Sequence, residues 1–167
     1  MKGIAIAILI VMLSAVFTQP LIETANILKE KIILDSAILN SCRSARNNSL
    51  IYGRLSDLDG AIDEDYFKEQ FSVAFSDTLA LTPLDLTGSV LRFTSPSLRW
   101  NRIDVTIDIK PYAEEDLDFE GRGMSIATVR VETPYIFRTS LLKSAVGLSN
   151  RDFMITEKRT FVVQIIN

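Results

Sequence analysis

The run Ile4-Ala5-Ile6-Ala7-Ile8-Leu9-Ile10-Val11-Met12-Leu13-Ser14-Ala15-Val16-Phe17 decides how the chain is built. It holds one polar side chain, Ser14, whose hydroxyl can bond back to its own helix. Continued through Thr18, Gln19, Pro20, Leu21 and Ile22, it reaches about 20 residues, the length a helix needs to cross a bilayer. Lys2 precedes it and Glu23 follows it. That asymmetry favours an N-terminus on the cytoplasmic side and the bulk of the chain outside. A cleaved signal peptide also begins with a basic residue and an apolar core. The nearest cleavage-like triplet is Leu13-Ser14-Ala15, where the bulky Leu13 replaces a small residue, so a retained anchor is the preferred expectation.

Outward from that run, the apolar pattern continues. Leu21, Ala25, Leu28, Ile32, Leu39 and Cys42 recur at spacings of three, four or seven, and Ile22, Ile33, Ala37 and Ile38 widen the stripe. Between Ile27 and Leu39 the helix is apolar nearly all round, interrupted by Lys29, Glu30, Lys31, Asp35 and Ser36. A helix with one face in water shows a narrower stripe, so this one is expected to touch neighbours on more than one face. Arg43 and Arg46 suit the negative end of the helix dipole, and Asn47-Asn48-Ser49 is the expected stop. One helix from Ile4 to Arg46 would measure about 65 Å at 1.5 Å per residue. Pro20 removes a backbone bond inside it and predicts a kink; two helices meeting near Pro20 are the alternative.

The division expected is therefore residues 1–49 as an apolar helix, serving as membrane anchor and packing core, and residues 50–167 as an extracytoplasmic α+β head. In the head, Asp57-Leu58-Asp59-Gly60 reads as a turn, and Asp63-Glu64-Asp65 as a helix start. Tyr66, Phe67, Phe71, Ala74, Phe75 and Leu79 follow at helical spacing and are read as core, with Thr82-Pro83 ending the helix. Four strands follow by pattern. Ser89–Thr94 is short and β-prone, and Arg102–Lys110 alternates throughout. Ile126–Thr133 is closed by Pro134. Phe153–Ile166 is one strand or a pair joined around Glu157-Lys158, with Phe161, Val163 and Ile165 on one face. Tyr135–Val146 reads as a short helix or a twisted extension. Helix, helix, then strands predicts an antiparallel sheet covered on one face by the second half of the long helix.

Composition excludes several chemistries. The chain of 167 residues has a formal charge of −3 and no histidine, which removes the commonest general base and zinc ligand. No basic stripe with interleaved aromatics is present, so no nucleic-acid partner is expected. Gly121-Arg122-Gly123 is too short for a phosphate cradle. Cys42 is the single cysteine, so no intrachain disulfide forms. Asp116, Asp118 and Glu120 alternate before Gly121 as a calcium loop begins, but Ala127 occupies the position of the closing carboxylate. Asp57, Asp59, Asp63 and Asp65 form a second acidic group; for both, a solvated loop is the expectation. Asn47-Asn48-Ser49 also matches a glycosylation acceptor. No catalytic set, cofactor site or metal site is expected.

The N-terminal half resembles the type IV pilins. Ile4 to Phe17 resembles their membrane anchor, Pro20 their kink-forming proline, and Leu21 to Arg46 their amphipathic second half. Gln19-Pro20-Leu21-Ile22-Glu23, Leu34-Asp35-Ser36-Ala37 and Ser44-Ala45-Arg46 are similar to the TadE-like pilin and pseudopilin group, as is a late strand at Phe161–Ile166. The first 46 residues carry most of the likeness. Pilins usually have a glutamate within the apolar run; here the first acidic residue is Glu23. The resemblance implies a structural subunit of a cell-surface filament, held in the cytoplasmic membrane before assembly. Its partners would be copies of itself and a pilus assembly machinery. Ile4, Ile8, Val11, Ala15, Pro20, Leu21, Ala25, Leu28, Ile32, Ile38 and Leu39 would form the membrane and filament core. The alternative is a bitopic anchored protein whose outer domain binds a ligand or partner, with the stripe of residues 25–42 packed only on its own head.

Overall fold

The computed structural model describes residues 2–55, 63–86, 88–96, 100–111, 124–139, 142–144 and 153–164. Helix α1 runs unbroken from Lys2 to Leu55, 54 residues with Pro20 inside it. At 1.5 Å per residue it is about 80 Å long. The anchor and the second helical half are thus one element rather than two. The expected stop at Asn47-Asn48-Ser49 does not occur: the helix passes through it. Asn48 is absorbed by a tertiary contact, its Nδ2 donating to Gln70 Oε1 at 2.8 Å. An asparagine with a tertiary partner has no need to bond its own backbone, which is what makes it a helix breaker elsewhere.

Helix α2 spans Glu64–Leu79, close to the expected limits. Asp63 caps it, its Oδ1 accepting from the backbone N–H groups of Asp65 and Tyr66 at 3.0 and 3.1 Å. That satisfies two of the donors every helix start leaves open. Ala80 closes it in the left-handed region at φ 52°, where a Cβ is ordinarily unfavourable. The turn is fixed from its other side by the N–H of Leu81 donating to the Ser76 carbonyl at 2.9 Å.

Among the described residues five strands follow: β1 (Thr82–Asp85), β2 (Val90–Thr94), β3 (Ile103–Pro111), β4 (Met124–Tyr135) and β5 (Phe153–Gln164). They form an antiparallel meander in the order β1-β2-β3-β4-β5. The α+β class and the long helix leading into an antiparallel sheet are as the pattern predicted. β1 is the strand the pattern missed. Thr82-Pro83 does not merely end α2; it opens an edge strand, where a residue without an N–H is tolerated. Pro134 does not end β4 either, since it pairs with Met154. Pairing with β3 covers Ser125 to Glu132, so at Pro134 the strand has a neighbour on one side only. β5 is one strand, not two joined around Glu157-Lys158. Of the segment after Tyr135, 142–144 form one helical turn, held by the Lys143 N–H on the Thr139 carbonyl at 3.0 Å.

Alternation along each strand sends one set of side chains inward. Leu91 and Phe93, Ile103, Val105 and Ile107, Ala127, Val129 and Val131, and Ile155 form the buried sheet face. Register places like on like: Phe93 faces Ile103, Leu91 faces Val105, Val105 faces Val131, and Ile107 faces Val129. Phe161 packs against this core half-buried. From above, α2 contributes Phe67, Phe71 and Phe75, with Phe75 stacked on Phe71 at 5.3 Å and tilted against Phe93 at 5.5 Å. α1 contributes Leu34, Ala37, Ile38, Cys42 and Ala45. Each fully buried large apolar side chain contributes about 1.5–3 kcal/mol.

Candidate functional site

The feature that sets this molecule apart is the part of α1 left uncovered. Every residue from Gly3 to Thr18 is exposed, including Ile4, Ile8, Val11 and Ala15. The helix that carries it is long and apolar enough to cross a membrane, and none of its most apolar window is buried against the rest of the chain. Ser14 and Thr18 return their hydroxyls to the carbonyls of Ile10 and Ser14 at 2.8 and 2.7 Å. Inside a lipid phase those hydroxyls are thereby satisfied within the helix.

Beyond Pro20 the predicted core residues divide. Leu21 (69% exposed), Ala25, Leu28 and Ile32 (66% exposed) stay on the surface, together with Ile22. Leu39 is half-buried. Ile38 is a correction. It was expected to pack against other copies, but it is fully buried in the head's own core with Leu34, Ala37 and Cys42. Periodicity alone could not separate the two destinations, because the helix is apolar almost all round and one face went to the sheet and α2 while the other did not.

The two faces part at Glu23. Its side chain is 1% exposed, although it follows directly on the apolar run. Tyr135 donates its hydroxyl to Oε2 at 2.6 Å, and the backbone N–H groups of Arg138 and Thr139 donate to Oε1, each at 2.6 Å. Burial raises the carboxyl pKa, but these hydrogen bonds outweigh it and hold the group below its ordinary value. The ionised form is therefore the one the site accommodates. Burial and the adjacent Glu23 charge together push the Tyr135 hydroxyl well above its usual range, so it stays a donor. Three donors on one carboxylate make a clamp. The arrangement fastens α1 to the end of β4.

Two ion pairs continue the fastening along β5. Lys31 Nζ lies 3.2 Å from Glu157, and the Arg159 guanidinium donates to both oxygens of Asp35. The Arg159 hydrogen bonds hold the Asp35 carboxyl below its ordinary value against a smaller opposing effect of burial. Asp35 is one of the residues that interrupt the apolar stretch of α1, and this partner is its reason. Sequence reasoning missed Glu23 as anything more than a flanking charge. No signal around Glu23 could have found it, because its donors come from Tyr135, Arg138 and Thr139 at the far end of β4.

Cys42 is buried and its thiol is pushed up to about 12 by loss of solvent, so it is a packing residue rather than a nucleophile. Among the described residues no three His, Cys, Asp or Glu side chains converge to hold a metal. Asp116, Asp118 and Glu120, and Asp57 and Asp59 of the second acidic group, lie outside the described residues, while Asp63 serves as the cap of α2. No protein-family model, curated protein or solved structure matches this chain. The class its own geometry defines is an α+β head carried on a helix able to cross a membrane.

Proposed function

We propose that the chain is a structural subunit of a type IV pilus-like filament on the cell surface. It is held in the cytoplasmic membrane by the first half of α1 and assembles by packing α1 against other copies. One observation carries this: after the head has taken its share of α1, Ala25, Leu28 and Ile32 are still exposed, beyond the length needed to span the bilayer. An apolar face of that extent in water favours association. Its burial between helices contributes on the order of 25 cal/mol per Å² of apolar area. A head-to-tail contact that does not close on itself gives a helical filament. The partners are then other copies and an assembly machinery, and the role is mechanical rather than catalytic.

A bitopic anchored binding protein is the second reading, and the burial of Leu34, Ala37, Ile38, Cys42 and Ala45 in the head favours it over that part of the helix. The two differ in what surrounds Leu21 to Ile32. Negative-stain microscopy of material sheared from cells, with mass spectrometry of the subunit's N-terminus, separates them. Filaments containing this chain are expected. A protein found only in the membrane fraction, monomeric in detergent and never in fibres, would leave the bitopic reading standing.

A further inference from the structure

We propose that the head rests on the membrane surface through an apolar and aromatic rim at the β4–β5 end, with Arg138 and Lys143 at the level of the lipid headgroups. The proposal rests on α1 spanning the bilayer, and not on polymerisation.

Two independent measures place that rim level with the end of the span. The first is the clamp: the backbone at Arg138 and Thr139 and the hydroxyl of Tyr135 are all in hydrogen-bond contact with Glu23. The second is the course of β5. Lys31 meets Glu157 and Asp35 meets Arg159, so β5 rises along α1 in the same direction. Two strand residues advance about 6.8 Å and four helical residues about 6 Å, so the two elements keep step. Going back from Glu157 to Phe153 descends about 13.6 Å along the strand. The same descent on α1 is about nine residues from Lys31, which reaches Ile22.

Ile4 to Ile22 spans about 28 Å as a helix, close to the roughly 30 Å of a hydrocarbon core. With that segment in the bilayer, Phe153 lies at its outer boundary. The headgroup layer outside is about 5–7 Å deep, little more than one helical turn.

The side chains at that level suit the layer. Ile136 is 50% exposed, Phe153 42% and Met154 44%. Phe153 packs edge-on against Phe137 at 5.6 Å and Tyr135 at 6.3 Å, so the aromatic rings form one surface rather than scattered contacts. Arg138 and Lys143, both exposed, flank it. Aromatic rings beside cations are the composition favoured at the boundary between acyl chains and anionic headgroups. The Glu23 clamp keeps the rim from swinging away from the helix that enters the lipid.

The test uses the full chain reconstituted in vesicles of phosphatidylcholine with phosphatidylglycerol. Single cysteines replace Ile136, Met154, Val11 or Leu84, each labelled with an environment-sensitive fluorophore; the unlabelled parent checks that buried Cys42 does not react. Val11 lies in the span, and Leu84 is exposed on β1. Labels at 136 and 154 are expected to shift to the blue and to be quenched by lipids spin-labelled near the headgroup. The label at 84 should remain water-like. Arg138→Glu with Lys143→Glu should reduce the quenching at 136 and 154, as should pure phosphatidylcholine. A blue shift at 11 with water-like signals at 136 and 154 overturns the proposal and leaves the span intact. A water-like signal at 11 overturns both. A blue shift at 136 and 154 that vanishes on dilution in lipid identifies a second copy as the occupant, and also overturns it.

Discussion

Glu23, the first acidic residue after the apolar run, accepts a 2.6 Å hydrogen bond from the hydroxyl of Tyr135, 112 positions further along the chain. The contact joins the helix able to cross a membrane to the last residue of β4. It also turns a flanking charge into a buried fixture whose removal has a calculable cost.

Glu23→Ala strips the acceptor from two backbone N–H groups and one hydroxyl at once. A buried donor left unpaired costs about 1–3 kcal/mol, so a loss in that range or somewhat above is expected from denaturant titration of the full chain in detergent. Tyr135→Phe removes one donor of three and should cost less. Equal stability of Glu23→Ala and the parent would show that the clamp is not structural.

Acid should release the same clamp. The Glu23 and Asp35 carboxyls both lie lower in the folded protein than their ordinary values of 4.5 and 3.8. Groups with depressed folded pKa values stabilise fully above the unfolded value and lose that contribution as pH falls through the folded one. Unfolding midpoints should therefore hold steady well above the ordinary values and drop progressively below pH 4.5 as the two carboxyls are protonated. In Glu23→Gln part of that drop should disappear.

Ile32 and Ile38 are six positions apart and should behave oppositely. Ile32→Asp places a charge on an exposed site, so the head should keep its circular dichroism and thermal transition, while the proposed filament should no longer form. Ile38→Asp buries a carboxylate among Leu34, Ala37 and Cys42, where no cation is available among its described core neighbours. It should unfold the head. The milder Ile38→Ala should cost about 2–5 kcal/mol.

The Asp35–Arg159 pair is bidentate but half-open to solvent. A double-mutant cycle with Asp35→Ala and Arg159→Ala should return a coupling of about 0.2–1 kcal/mol, shrinking as salt is raised. A coupling of several kcal/mol, insensitive to salt, would contradict the exposure of the pair.

Much of this protein was legible in the sequence. The apolar run, the continuation of the helix past Pro20, the acidic start of α2 at Asp63-Glu64-Asp65 and the Phe67, Phe71 and Phe75 stripe are local patterns, and each formed where it was read, although α1 runs on to Leu55. So did the alternation of Ile103, Val105 and Ile107, because period-two burial is a property of one strand and one face. Asn47-Asn48-Ser49 misled, since a local breaker signal was overridden by a partner on α2. Pro83 and Pro134 misled in the same way: a missing N–H matters only if a neighbouring strand needs it, and that depends on where the strand lies in the sheet.

The sequence by itself determined that an apolar helix able to cross a membrane leads into an α+β head, because composition and periodicity are carried by consecutive residues. Tertiary structure decided which of its apolar residues the head would keep. Ile38 went inside and Ile32 stayed out because the sheet and α2 cover one face of α1, and no spacing in α1 records which face that is. It also decided the fate of Glu23. The donors that draw it inside come from Tyr135, Arg138 and Thr139, and only the folding of β4 back onto the helix brings them within reach.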